Sequence, residues 1–396
     1  MASVLEGIKV LDFTQVYSGP FCTLMLKDLG ADIIKVERPG SGDLTRNDFP
    51  HTEGLEGGAY IILNRGKKSV TIDLKSEKGR AIIKELIKKV DVLVENFSPG
   101  TMDKLGLGSE EICEANPSLI YASISAYGQT GPYRDYPGFD PVAQAMGGMT
   151  AVTGFPEQPV RSGVSIADFT SGLFTATSIL GAIIHRMKTG EGQTIDISMQ
   201  QSIWQLASIE FSPYYFLAGQ EPPRLGNGHA AMIPCNVYPT TDGGLFIAAG
   251  VLDQVKRLYT AIGREDLIDT PLCANQSERI KHRDEINEII SAWTKNMSTD
   301  DVMKTLQAVD VPCSRVPAFS EVCNDPQLIS RNAIIEVEQL ISGKVKVPGS
   351  LFKMSRTPGK IDYPAPFLGE NNQDILADLL GYTDEEIGKL SDEGII

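Results

Sequence analysis

The chain has 396 residues, with 36 Lys and Arg against 51 Asp and Glu for a net charge of -15, and is 42% hydrophobic and 22% charged. That length implies about two domains and that composition an ordinary globular protein, which excludes a small binding module, a disordered chain and a fibrous repeat. The charge opposes phosphate backbones and anionic lipid, so neither nucleic acid nor a membrane surface is an expected partner, and an anionic small ligand would need local basic residues.

In chain order, residues 7–13 form a short β-branched and apolar run. Pro20 suits the first turn of a helix that Gly30 closes. A second strand covers 31–36. Residues 69–74 alternate, and Ser76 followed by Glu77 opens a helix whose apolar positions Ile82, Ile83, Leu86, Ile87 and Val90 recur at helical spacing. Strand 92–97, helix 109–115 and strand 119–125 follow, the last after the Asn116-Pro117 break. Strand and helix in repeated alternation predict an α/β domain with a mostly parallel sheet and helices on both faces.

Asp168 stands at the start of a long helix reaching Lys188 and closed by Gly190, before a strand at 193–199 and a helix around 202–217. The character changes near Gly219, where a loop holds two prolines and two glycines. We expect residues 1–220 to form a large domain, 221–328 a smaller α+β domain with strand 244–250 and helices 254–261, 283–295 and 300–308, and 329–396 a segment returning to the large domain. Strands at 334–340 and 345–348 and a helix at 373–380 fall in that last segment.

The first ten residues show no basic leader or apolar signal stretch, and the most apolar run, 179–184, is far short of the ~20 residues of a membrane-spanning helix. A cytoplasmic location is expected. Six cysteines lie scattered without a C-x-x-C pair, and four histidines offer no zinc spacing, so neither a disulfide framework nor a metal is expected. His51, His185 and His282 have no acid or nucleophile at a telling separation.

Three stretches can carry chemistry. The first strand-to-helix turn, Thr14-Gln15-Val16-Tyr17-Ser18-Gly19-Pro20, lacks the G-x-G-x-x-G of a dinucleotide site; Arg38 at the end of the second strand suits a ribose phosphate, although a solvated surface arginine is the plainer reading. At the helix start Ser165-Ile166-Ala167-Asp168, a carboxylate near the positive dipole end is expected to stay ionised at neutral pH. It can serve as a nucleophile toward a carbonyl or simply cap the helix, and Asp140, before Pro141, is a similar cap candidate. The loop Arg224-Leu225-Gly226-Asn227-Gly228-His229 can offer glycine amides to an oxyanion or act as a hinge. No hydrolase triad or P-loop can be assembled.

Taken together, several ordered motifs resemble the family III CoA-transferases, and the resemblance spans nearly the whole chain. They are Gly7-Ile8-Lys9-Val10-Leu11-Asp12-Phe13 with Gly19-Pro20, Leu29-Gly30-Ala31-Asp32-Ile33-Ile34-Lys35-Val36-Glu37, Asp91-Val92-Leu93-Val94-Glu95-Asn96-Phe97 with Pro99-Gly100, Tyr127-Gly128-Gln129-Thr130-Gly131-Pro132, and Asp168 with Gly172 and Thr189-Gly190-Glu191-Gly192-Gln193. The resemblance implies a Rossmann-like large domain, a small domain, and two chains threaded as an interlocked-ring homodimer. It implies transfer of CoA from an acyl-CoA to a free carboxylic acid through an anhydride and a thioester on Asp168, with no cofactor beyond the substrate coenzyme A.

The CoA contacts it implies are Arg38 near the ribose phosphate, Leu74 and Lys75 on the adenine side, Asn96, Phe97 and Lys104, with Tyr17 and Phe139 beside them. Gln15, Gly226, Gly228 and His229 are the acceptor pocket and loop, with Tyr17, Met199 and Arg224 also candidates for that pocket. The formyl-CoA branch carries His and Gln where this chain has Gln15 and Tyr17, and a longer glycine-rich loop where this chain has Gly226-Asn227-Gly228, which argues against oxalate as acceptor. The α-methylacyl-CoA racemases of the same superfamily are the alternative. They use a histidine at the position of Phe139, and phenylalanine cannot move a proton, so transfer is favoured.

Overall fold

The computed structural model describes residues 3–48, 50, 56–339, 343–361 and 363–396; His51 lies outside them. Six strands, β1 (Lys9–Asp12), β2 (Asp32–Glu37), β3 (Lys68–Thr71), β4 (Val92–Glu95), β5 (Ile120–Ser125) and β6 (Gln193–Ser198), form one sheet in the order 3-2-1-4-5-6. Every pair is parallel. This is the strand order of doubly wound nucleotide-binding sheets, in which ligands sit beyond the carboxyl ends of the strands where the order reverses, here between β1 and β4.

Successive residues of these strands are apolar and enter different cores, as a strand covered on both faces requires. Val10, Ile33, Val92 and Ile120 pack with helix α1 (Ser18–Asp28) and with the long helix Ile166–Thr189. Their neighbours Leu11, Ile34, Leu93 and Tyr121 pack with α2 (Glu77–Ile87) and with the C-terminal helices Asn372–Leu380 and Asp384–Asp392. Ser76 caps α2 as expected, accepting from the Gly79 N–H. The outer edge of β3 is covered by the returning tail: Asn371 and Asn372 accept from the Ser69 and Thr71 N–H groups at 2.9 and 2.8 Å. An edge strand is thereby kept from pairing with another chain.

The chain divides into two compact units: Met1–Met149, Ser162–Pro213 and Pro326–Ile396 in one, Thr150–Arg161 and Tyr214–Asp325 in the other. The division differs from the expected 1–220, 221–328 and 329–396 in placing two boundaries after 213 and after 325, and in one further segment. Residues 150–161 leave the larger unit, and within them Gly154–Phe155 pairs with Gln158–Pro159 as a short hairpin. The later break falls at Pro213, inside the helix Met199–Ala218, where proline supplies no N–H to the helical ladder. The smaller unit has a three-stranded antiparallel sheet of Cys235–Thr240, Gly243–Ala248 and Cys313–Arg315, packed against helices Leu252–Ala261, Arg283–Thr294 and Thr299–Gln307.

The helix expected from Asp168 to Lys188 is found as Ile166–Thr189, and the correction concerns its apolarity. The helix Ile166–Thr189 is long and apolar enough to cross a membrane by length and composition, although its continuous apolar run is short, and half of its most apolar stretch is buried in the protein. Small polar residues such as Ser171 and Thr175 interrupt the run while burying as well as apolar ones. Gly190 ends it in the left-handed conformation, φ 81°, as its sequence position predicts.

Candidate active site

The site begins with a loop. Residues 14–17 leave β1 and enter α1, and almost every backbone polar group in them is held. The Thr14 N–H donates to Asp12 at 2.9 Å, and the Thr14 carbonyl accepts from Lys35 Nζ at 2.7 Å. Asn96, just past β4, brackets Gln15: its Oδ1 accepts from the Gln15 N–H at 2.9 Å and its Nδ2 donates to the Gln15 carbonyl at 2.8 Å. Val16 sits at φ 68°, a left-handed conformation costly for a β-branched residue, with its N–H directed to Asp43 at 3.3 Å.

Behind the loop lies a buried ionic network. Lys35 pairs with Asp43 at 2.8 Å and Lys67 with Asp12 at 3.1 Å, all four side chains fully buried. Burial alone would raise the Asp12 and Asp43 carboxyls, yet Lys67 and Lys35 beside Asp12, and Lys35 with Thr45 beside Asp43, hold both below the usual carboxylate range.

Beyond the carboxyl ends of β1, β4 and β5 opens a cleft of about 520 Å³. Its walls include Gln15, Tyr17 and Ser18 from the β1 loop, Asn96 and Phe97 after β4, Arg134, Tyr136, Phe139 and Asp140 after β5, and Ser165, Asp168 and Met199. Close crossing of two helices brings the β1 loop to Asp168. A Cβ on Gly172, one turn past Asp168, would lie 2.5 Å from the Ser18 carbonyl oxygen, so only glycine permits this approach. The Tyr17 ring stands edge-on to Phe169 at 6.1 Å.

Asp168 does not behave as its sequence position predicts. Instead of a carboxylate held ionised by its helix, it is an acid with its pKa pushed up to about 7, by burial first and then by the neighbouring charge of Asp140. Among the described residues no donor reaches its carboxylate. One of the free N–H groups of the helix's first turn, that of Ala167, donates to Asp140 at 2.8 Å. Tyr17 is shifted upward too, by burial and by the charges of Asp48 and Asp168, and stays a neutral phenol.

Of the residues named from the sequence, the structure thus gathers Gln15, Tyr17, Asn96, Phe97, Phe139, Asp168 and Met199 around one cleft. Arg38, Leu74, Lys75 and Lys104 are not among its walls. Arg38 follows β2, Leu74 and Lys75 follow β3, and Lys104 lies in a short helix after β4, so all stand past the carboxyl ends of neighbouring strands. Arg224, Gly226, Gly228 and His229 belong to the smaller unit. There Arg224 donates to the carbonyls of Ala151, Phe155 and Pro156, Gly226 bonds Gly154 at φ 59°, and His229 Nδ1 accepts from the Ala231 N–H. Arg134 and Tyr136 do not stand out in the sequence as site residues, although the Tyr-, Pro- and Gly-rich stretch 133–138 after a strand is itself a loop signal. Asp140 stands out there only as a cap candidate for its own helix, Asp140–Met146, of which Phe139 is the N-cap.

Residues 5–372 match CoA-transferase family III. The chain is 38% identical to the succinyl-CoA--D-citramalate CoA-transferase of Chloroflexus aurantiacus, over 99% of this chain and 98% of that one. It is 37% identical to the human succinyl-CoA:glutarate CoA-transferase, over 99% and 90%, and 33% identical to a formyl-CoA:oxalate CoA-transferase of Rhodopseudomonas palustris, over 100% and 98%. A CaiB/BaiF family protein from Brucella suis has the same fold, with TM-score 0.84 and 33% identity over 96% of this chain and all of that one. The chain belongs to CoA-transferase family III. It is an enzyme that transfers CoA from an acyl-CoA to a free carboxylic acid.

Proposed function

We propose that Asp168 is the nucleophile of this transfer. The observation that carries the reading is an unbonded carboxylate with its pKa raised to about 7, standing in a cleft lined by Phe97, Phe139 and Tyr136. A partly desolvated carboxylate free of hydrogen-bond donors is a stronger nucleophile than a fully solvated one. Its oxygen attacks the thioester carbonyl, the C–S bond breaks, and CoA leaves as thiolate from an aspartyl anhydride. The thiolate then attacks the Asp168 carbonyl, expelling the donor's carboxylate and leaving an aspartyl-CoA thioester. The acceptor carboxylate attacks that thioester, whose C–S bond breaks to give a second aspartyl anhydride and CoA thiolate; the thiolate then attacks the acceptor's acyl carbonyl, forming the new acyl-CoA and releasing the Asp168 carboxylate. The cycle balances with CoA and the two acids as its only participants.

In this reading the pantetheine arm of CoA lies along Tyr17, Asn96, Phe97 and Phe139. Arg38, Lys75 and Lys104 receive its phosphates beyond the strand ends, with Leu74 against the adenine. Gln15 and Met199 border the acceptor. Succinyl-CoA as donor and a short dicarboxylic acid as acceptor are supported by the names of the relatives at 37–38% identity, and by Arg134 as a cation in the cleft wall. The enzyme is a cytoplasmic homodimer with a Rossmann-like large domain, its two chains interlocked.

Exposure to succinyl-CoA followed by hydroxylamine is expected to convert Asp168 to its hydroxamate, visible as a mass change in one peptide. Asp168→Ala is expected to lose transfer by about a thousandfold or more. Full activity in Asp168→Ala overturns the reading.

A further inference from the structure

An acidic residue in the first turn of a helix ordinarily turns back onto the free N–H groups there. Asp168, third residue of the helix Ile166–Thr189, does not, and the N-cap residue Ser165 makes no side-chain cap bond either. The place is taken from outside. Asp140 is buried, its Oδ1 accepts from the Ala167 N–H at 2.8 Å, and its Oδ2 accepts from Gln144 Nε2 at 2.7 Å. Gln144 is fully buried one turn further along the same helix, and its Oε1 accepts from the Ser162 N–H at 2.9 Å. Two side chains on consecutive turns therefore hold the backbone on both sides of the bend that delivers Asp168.

We propose that Asp140 and Gln144 are positioning residues that cap the nucleophile's helix in place of Asp168 and so keep the Asp168 carboxylate free to attack. The proposal rests on Asp168 being the nucleophile. If the cap were absent, the Ala167 N–H would be left to the side chains of its own turn, Ser165 and Asp168. A bond to Asp168 would turn its lone pairs toward the helix and away from the cleft. The same arrangement sets two carboxylates near one another and gives the helix donor to one of them only, which separates a structural acid from a chemical one. Charge follows geometry here: besides burial, Asp140 is the neighbour that raises Asp168. The other ionisable groups around Asp168 are the Tyr17 phenol on the β1 loop and Arg134 in the wall after β5, while the first turn of α1 carries no acid.

The test is the pH dependence of kcat/KM for CoA transfer from succinyl-CoA in the wild type, Asp140→Asn and Asp168→Asn. The wild type is expected to show an acid limb near pH 7. Asp140→Asn keeps the shape and removes the charge, so its acid limb is expected to move down by about half a unit or more. A merely structural residue would lower the melting temperature and leave the limb in place. An unmoved limb in Asp140→Asn, with Asp168→Asn inactive, overturns the inference and leaves the nucleophile standing; activity in Asp168→Asn overturns the nucleophile instead. Should Asp140→Asn fail to fold, Gln144→Met is read in its place. A fall in kcat of about tenfold at unchanged KM for succinyl-CoA supports positioning, and two unchanged constants overturn it.

Discussion

Asp168 costs the folded enzyme stability when it ionises. In the native protein it keeps its proton up to about pH 7, whereas an unfolded aspartate releases it near 3.8. Between those values the native state binds more protons, so stability falls as pH rises through the interval, and above it the full cost remains. Asp168→Asn removes that cost. The variant is expected to be more stable than the wild type at pH 8 by on the order of 1–2 kcal/mol, with the advantage gone at pH 4, where both side chains are neutral. Denaturant unfolding of both proteins at the two pH values measures this, and an equal difference at both would contradict it. The position of Asp168 on a helix start is legible in the sequence; its protonation is not. A free N–H of the helix's first turn goes to Asp140, which lies on a different element, and sequence separation gives no sign of which carboxylate reaches it.

Elements fare differently. Strands covered on both faces announce themselves as short runs rich in Val, Ile and Leu, and β1, β2, β4 and β5 are found within a residue or two of the expected bounds. The strand Cys235–Thr240 is missed, since Asn236 and Pro239 break its apolar pattern. The last helix, Asp384–Asp392, is missed although its capping box is present in Thr383 and Glu386, because its surface is mostly charged. The β1 loop is the element whose order depends most on distant partners. Lys35 reads in the sequence as an interruption of β2, and the structure makes it the anchor of the Thr14 carbonyl and of Asp43. Lys35→Met leaves two buried carboxylates, Asp12 and Asp43, short of a partner. We expect a loss of about 3–5 kcal/mol and, in protein that still folds, a kcat lowered by about tenfold or more as the loop relaxes. Val16→Gly is the complementary change. It relieves the left-handed strain while keeping the Asp43 contact, and is expected to preserve kcat and to alter stability by less than about 1 kcal/mol. Thermal unfolding and steady-state rates on the two variants decide whether the network or the valine holds the loop.

At the scale of the whole molecule the net charge of -15 discourages any large anionic partner, so the phosphates of CoA depend on local cations such as Arg38, Lys75 and Lys104 in the proposed site. The charge also bears on self-association. The helix Met199–Ala218 buries Ile203 and Ala207, yet leaves Trp204, Ile209, Tyr215, Phe216 and Leu217 exposed, the last at 85%. A helix at the surface of a lone globular chain is ordinarily apolar on one side; one apolar on both sides calls for a second covering. Two copies each carrying -15 repel one another, so apolar burial must supply the attraction, and salt, which screens the repulsion, should strengthen the pair. Light scattering is therefore expected to give a mass twice the 43.0 kDa of the chain, unchanged or more firmly dimeric as salt is raised. Replacing Ile209 and Leu217 together by glutamate should push the mass toward that of one chain. Wild-type protein scattering as a single chain at micromolar concentration would remove the second copy, and leave the apolar side of this helix to be covered by something else.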